Sequence, residues 1–161
     1  MKPPLPMPGV EWAVLGFSGW QAADLRIAWR HSPLDRLGWL ALGIWLTPLL
    51  ARFLRRCADH QPPSARVPLC WLALAFGLLG LLTEMHFTQH CALACACAAL
   101  TPSFRLWGLW FGLSLAWMPA LGWILAGFSP SGLVVTRLAL ASGAAAIALA
   151  GAPCFHRRSL A

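Results

Sequence analysis

The chain carries little charge for its length. Only 11% of its 161 residues are charged, whereas soluble domains average about 25%. It has no tyrosine, a single lysine and only five acidic residues. Hydrophobic residues make up 59% of the chain, and the mean hydropathy is +0.66. This composition excludes an ordinary soluble enzyme domain and is typical of a protein embedded in a membrane.

Long apolar runs fill most of the sequence between the charges. A membrane helix needs about 20 apolar residues, so the chain has room for four or five crossings. We therefore predict an all-α fold, a polytopic transmembrane bundle of four to five helices. The predicted spans are Leu37–Leu50 (extendable to Leu54), Val67–Leu82, Leu106–Phe128 and Leu133–Ala150, with Cys91–Leu100 as a short or re-entrant helix.

The two ends of the chain are less apolar than its middle. Residues 1–36 are predicted to form a Pro-rich tail and an interfacial segment, in which Val10–Trp29 is an amphipathic helix. A crossing over about residues 5–23 is the alternative for this segment. Residues 37–153 then make up the transmembrane domain, and residues 154–161 a basic tail.

Arginine supplies nearly all of the positive charge, and the net charge is +7. The arginines lie at the edges of apolar runs, which indicates contact with lipid headgroups rather than nucleic acid. The cluster in Ala51–Arg66 places that segment and the basic C-terminus in the cytoplasm, although Arg26, Arg30 and Arg36 oppose this orientation. The sequence thus predicts a multi-pass protein of the cell membrane, as in a bacterial inner membrane. Its expected partners are the bilayer and another membrane protein.

The densest group of reactive side chains lies between Glu84 and Cys97. Its candidate metal ligands are His86, His90, Cys91 and Cys95. Residues four apart share a helix face, and imidazole and thiolate suit copper, zinc or haem iron. The spacing matches no standard zinc pattern and no Cys-x-x-Cys-His haem attachment. The simpler interpretation is structural, with cysteines that pack like alanine.

No catalytic constellation is visible in the sequence. It contains no Gly-x-Ser-x-Gly, no His-Glu-x-x-His and no Gly-rich phosphate loop. Arg137 is the only charged residue near the interior of a predicted span, which makes it a functional candidate. We favour a snorkelling side chain that reaches the membrane surface. The sequence therefore predicts no catalytic residue and no cofactor.

Short motifs flank the predicted spans in an order that resembles the exosortase/archaeosortase family. In chain order they are Trp29–Pro33, Gly38, Arg105–Trp107, Pro119, Trp123, Ser129–Pro130, Thr136–Ala139 and Gly151–Pro153. The likeness covers about residues 25–153. It is a likeness to the N-terminal, non-catalytic part of that family. Membership would imply a membrane-embedded relative of cysteine transpeptidases that act on sorted surface proteins.

The catalytic motif of that family is missing here. In the family, the nucleophile lies in a Cys-Ser-Gly-like motif after the Gly-Pro turn, whereas here Cys154 is followed by Phe155 and His156. No catalytic residue is carried over, and an enzyme is not favoured. We expect a truncated, non-catalytic exosortase-like protein that packs against a partner or a sorting substrate. The alternatives are a small metal- or haem-handling membrane protein and an accessory subunit of a larger membrane complex.

Overall fold

The computed structural model describes residues 8–55, 63–101, 106–125 and 127–151, and every regular element in these ranges is a helix. The α-helices are α1 (Pro8–Gln21), α2 (Leu25–His31), α3 (Gly38–Trp45), α4 (Thr47–Arg55), α5 (Pro63–Thr83), α6 (His86–Leu100), α7 (Trp107–Gly112), α8 (Ala120–Ile124) and α9 (Pro130–Gly151). Two 3₁₀ helices cover Ala22–Asp24 and Leu113–Ala116. The all-α prediction is confirmed for these residues.

Several predicted features lie outside the described residues. They are the first seven residues of the Pro-rich tail, residues 56–62 of the arginine-rich segment, Arg105, and residues 152–161 with Cys154 and the basic tail.

The chain divides into two compact units, each made of two separate stretches. The first unit comprises Met1–Ala22 and Gln61–Leu100, and the second comprises Ala23–His60 and Thr101–Ala161. Among the described residues, the first unit holds α1, α5 and α6, each in contact with the other two. In the second unit α3, α4 and α7 all pack against α9.

Two glutamines of the first unit bind backbone carbonyls of α5 where glycine leaves room. Gln21 Nε2 donates to Gly77 O at 3.1 Å, and Gln89 Nε2 donates to Gly80 O at 3.3 Å. A Cβ at Gly77 would lie 2.6 Å from Gln21 Oε1, and one at Gly80 would lie 2.5 Å from Gln89 Cγ. Any larger residue would displace the glutamine, so these glycines allow the close approach of α1 and α6 to α5.

Two of the predicted spans are confirmed as helices long and apolar enough to cross a membrane. They are Arg66–Thr83, within α5, and Pro130–Ala150, within α9. The second begins at Pro130, ahead of the predicted start at Leu133. Gly132 N donates to Ser129 Oγ at 3.2 Å, and Pro130 occupies the first helical position, where a missing N–H costs nothing.

The prediction of one continuous helix over Leu106–Phe128 is wrong. The described part of this stretch is divided into α7, the 3₁₀ helix Leu113–Ala116 and α8. Pro119 has no N–H to donate to the carbonyl four residues earlier. The backbone tightens ahead of it: Trp117 N donates to Ser114 O at 3.3 Å, and Met118 N donates to Leu115 O at 3.2 Å. The result is an unwound segment, defined here as residues 113–119.

The predicted span Leu37–Leu50 is divided as well. α3 ends at Trp45 and α4 begins at Thr47, one residue before Pro48. Pro48 cannot donate to Ile44 O, and the hydroxyl of Thr47 donates to that carbonyl in its place. The interruption therefore follows from one proline, and the predicted span Leu37–Leu50 is not one unbroken helix.

Candidate functional site

Three consecutive carbonyls of the unwound segment accept hydrogen bonds from side chains. Arg137 Nη1 donates to Ala116 O at 3.0 Å and to Met118 O at 3.2 Å. Trp29 Nε1 donates to the intervening carbonyl, that of Trp117, at 3.1 Å. Backbone carbonyls released from a helix are costly in apolar surroundings unless they find donors. The site is thus built around a break in a helix, with donors supplied from α9 and α2.

Arg137 lies at the centre of this arrangement and is fully buried, at 0% exposure. Its Nη2 donates to Asp35 Oδ1 at 2.9 Å and to Leu34 O at 3.3 Å. Asp35 is itself only 5% exposed. The snorkelling interpretation of Arg137 is therefore wrong. The guanidinium points into the second unit, where it binds one carboxylate and three backbone carbonyls. A buried charge requires such partners.

Trp29 reaches the unwound segment through a gap that only glycine provides. A Cβ at Gly38 would lie 2.1 Å from Trp29 Nε1 and 2.3 Å from its Cδ1. The start of α3 therefore lies directly against the part of the indole that carries the N–H bound to Trp117 O. The turn before α3 contains Leu37 in the left-handed region, with φ of 64°. This conformation is rare for a branched residue and indicates that the surrounding contacts hold the turn in place.

A stacked pair of indoles, Trp45 and Trp110, lies next to the site, since the Trp45 and Trp117 ring centroids are 5.8 Å apart. The rings of Trp45 and Trp110 stack with centroids 4.4 Å apart and an interplanar angle of 4°. Each ring also donates to the other residue's backbone: Trp45 Nε1 to Trp110 O at 3.0 Å, and Trp110 Nε1 to Trp45 O at 3.1 Å. Both residues lie near the ends of short helices, where carbonyls lose their helical donors. The pair joins α3 to α7 through packing and hydrogen bonds together.

The hydrogen bonds of Arg137 give this site a structural role. Four of the five N–H donors of a guanidinium are accounted for in Arg137 by bonds to Ala116, Met118, Leu34 and Asp35. The fifth, on Nε, is buried with no hydrogen-bond partner in the described part of the chain. An arginine bound in this way holds backbone in position. Its Nη donors could bind a substrate only by giving up bonds inside the protein.

Sequence reasoning found Arg137 but missed Asp35, its partner. A signal was present, because an arginine inside an apolar helix needs a carboxylate and the chain has only five acids. Distance along the sequence hid the pairing, since 102 residues separate Asp35 from Arg137.

The four candidate metal ligands all lie on α6 of the first unit but differ in exposure. His86 is exposed, Cys91 is half-buried, and His90 and Cys95 are each 3% exposed. His86 Nδ1 lies 3.3 Å from Gln89 Oε1. The helix is longer than the predicted segment Cys91–Leu100, since residues 86–90 already belong to α6. Within the described ranges, no three His, Cys, Asp or Glu side chains are grouped to hold a metal ion. Metal binding stays an alternative hypothesis to the structural interpretation of this helix.

Comparison with known protein families, characterised proteins and solved structures gave no significant match.

Proposed function

We propose that this chain is a multi-pass integral protein of the cell membrane. In this proposal it is an exosortase-like, non-catalytic protein that acts by packing its helices against a partner protein or a sorting substrate. In the second unit the broken stretches α3–α4 and α7–α8 cross or re-enter the membrane, as does α9. With α5 of the first unit this gives four helices, or five with a short or re-entrant α6.

The observation that carries the proposal is the exposed apolar surface of α5. Only 22% of the stretch Arg66–Thr83 is buried. Its large exposed residues are Val67, Trp71, Leu72, Leu78, Leu79, Leu81 and Leu82. A surface of this kind is rare on a monomeric soluble protein and marks contact with lipid or another protein. Lipid tails and a partner helix are the two environments that would cover it.

The absence of catalysis in the proposal rests on the geometry around Arg137. This arginine belongs to one of the motifs that carry the exosortase resemblance, and Trp29 belongs to another. Both side chains donate to the same unwound segment. Their role in this chain is then to shape a helix break, which supports a scaffold more than a reaction centre.

The membrane location is tested by placing a charge on the exposed face of α5. We expect Leu78→Arg to reduce the amount of protein that resists alkaline extraction from membranes by several-fold. An arginine near the middle of a membrane helix costs about 2.5–3.5 kcal/mol on insertion scales. Quantitative immunoblotting of pellet and supernatant after carbonate extraction measures the effect.

Met85→Arg is the matched control for Leu78→Arg. Leu78 is 54% exposed and Met85 is 52% exposed, but Met85 lies in the turn after α5, outside the candidate span. We expect this variant to behave like the unmodified protein. Release of the unmodified chain by carbonate, or equal behaviour of the two arginine variants, would contradict a membrane location for α5.

The partner is tested by affinity purification from native membranes in mild detergent. We expect one membrane protein to co-purify in near-stoichiometric amount, identified by mass spectrometry and dependent on the intact α5 face. Replacing Trp71, which is 68% exposed, with alanine should reduce recovery of the partner and leave recovery of the bait unchanged. A bait recovered alone would refute partner binding. Cleavage of a sorting-signal peptide by the purified chain would refute the absence of catalysis.

A further inference from the structure

An open cavity of about 740 Å³ lies in the second unit beside α2. This volume falls within the range of small-ligand sites, about 300–1,000 Å³. Its lining consists of Ala23, Arg26, Ile27, Trp29, Arg30, His31 and Trp39. These residues come from the end of the first 3₁₀ helix, from α2 and from the first turn of α3. The cavity therefore lies at the entrance to an apolar helix.

The lining is positively charged. Arg26 and Arg30 are exposed and lie four residues apart on α2, so their side chains share one face of the helix. His31 follows them and is also exposed. Among the described residues that line the cavity, none is acidic. Two acids are close in sequence. Asp24 is half-buried just before α2 and does not line the cavity, and Asp35 is buried against Arg137 at 2.9 Å.

The rest of the lining is apolar and aromatic. Ile27 is 65% exposed and Trp39 is 59% exposed, while Trp29 is half-buried. Exposed indoles beside basic residues at the start of an apolar helix are typical of the headgroup layer of a membrane. A cavity with guanidinium groups and an indole at its mouth fits a molecule with an anionic head and an apolar tail.

We propose that this cavity binds the phosphate headgroup of an anionic membrane lipid. Arg26 and Arg30 hold the phosphate, because guanidinium groups form paired, charge-assisted hydrogen bonds with phosphate oxygens. Trp39 and Ile27 lie against the glycerol and the first acyl carbons. The inference rests on the proposed membrane location and adds a specific ligand to it. Basic pockets of this kind at membrane helices bind anionic headgroups in other proteins.

The test is calorimetric titration of the purified full-length chain in neutral detergent. The probes are dihexanoyl phosphatidylglycerol, dihexanoyl phosphatidylcholine and inorganic phosphate. We expect the anionic lipid to bind roughly tenfold more tightly than either of the others. Arg26→Gln and Arg30→Gln should each weaken its binding by roughly tenfold, as expected for loss of one charge-assisted hydrogen bond. Trp39→Ala should weaken binding of the lipid and leave that of phosphate unchanged.

Arg36→Gln is the charge-matched control, since Arg36 is exposed and does not line the cavity. It should leave the affinity within about twofold of the unmodified chain if the site is local. If all three arginine variants weaken lipid binding equally, the effect comes from net charge alone and the proposed site is wrong. Equal binding of the zwitterionic lipid would overturn charge recognition, and equal binding of phosphate would identify a soluble anion. The titration uses protein in detergent, so its failure is distinct from failure of the carbonate extraction.

Discussion

Replacing Arg137 with methionine should lower the free energy of unfolding by about 3–5 kcal/mol, the usual cost of breaking a buried ion pair from one side. The change would leave the Asp35 carboxylate buried without its counter-charge and would remove the donors to Ala116 O and Met118 O. Titration with SDS in mixed micelles, followed by far-UV circular dichroism, measures the difference. Arg36→Met, at an exposed position in the same unit, should change stability by about 0.5 kcal/mol or less.

The double variant Asp35→Leu with Arg137→Met separates charge burial from general packing. It removes both charges, so it should be more stable than Arg137→Met alone, because no uncompensated carboxylate remains. An Arg137→Met protein as stable as the unmodified chain, or a double variant with simply additive losses, would show that the pair is not coupled in the folded protein.

A loss of similar size is expected when Trp45 becomes alanine, about 3–5 kcal/mol. Trp45 is 0% exposed, stacks on Trp110 and exchanges two indole-to-carbonyl hydrogen bonds with it. The substitution removes the ring from the core and leaves a cavity between α3 and α7. The same detergent unfolding titration measures it. Trp45→Phe keeps a ring but no N–H donor, and should cost only about 1–3 kcal/mol for the lost hydrogen bond to the buried carbonyl of Trp110.

Trp123 supplies the matched control for Trp45. Its side chain is 81% exposed, and alanine there should change stability by about 0.5 kcal/mol or less. Equal losses in Trp45→Ala and Trp123→Ala would show that the stacked pair adds nothing beyond the presence of tryptophan.

The exposed face of α5 and the buried site around Arg137 have opposite consequences for function. The α5 face is available to lipid or to a partner protein. The Nη donors of Arg137 all bind groups within the second unit. The basic cavity beside α2 is a separate place where a small ligand could bind. Recognition by this protein is then expected at its surfaces, with the buried site keeping an irregular backbone in shape.

The sequence by itself determined the helical class and the two long apolar helices α5 and α9. Hydropathy is a local property that sums over about 20 consecutive residues, so no knowledge of distant contacts is needed. The predicted span began at Leu133, whereas α9 begins at Pro130. This earlier start is nevertheless local in origin, because a serine cap followed by proline acts within one turn. The predicted helix Cys91–Leu100 was too short, because α6 begins at His86 and contains both His86 and His90.

Only the tertiary structure showed that the predicted spans Leu37–Leu50 and Leu106–Phe128 are divided into shorter helices. Proline at positions 48 and 119 was visible, but proline is tolerated in membrane helices when other donors bind the released carbonyls. Whether such donors exist depends on residues far away in sequence. Trp29 lies 88 residues from Trp117, whose carbonyl it binds. The helix break at 113–119 and the side chains that stabilise it are therefore one long-range arrangement.

The same reason explains why the burial of Arg137 could not be read from its own helix. Local pattern gives an arginine among apolar residues, which fits a snorkelling side chain and a buried ion pair equally well. The choice is made by where Asp35 lies, and by the carbonyls of Ala116 and Met118 that the helix break releases. Asp35 and Arg137 are 102 residues apart in sequence. Only the folding of the chain brings the two charges together, so the pair is visible only in the three-dimensional structure.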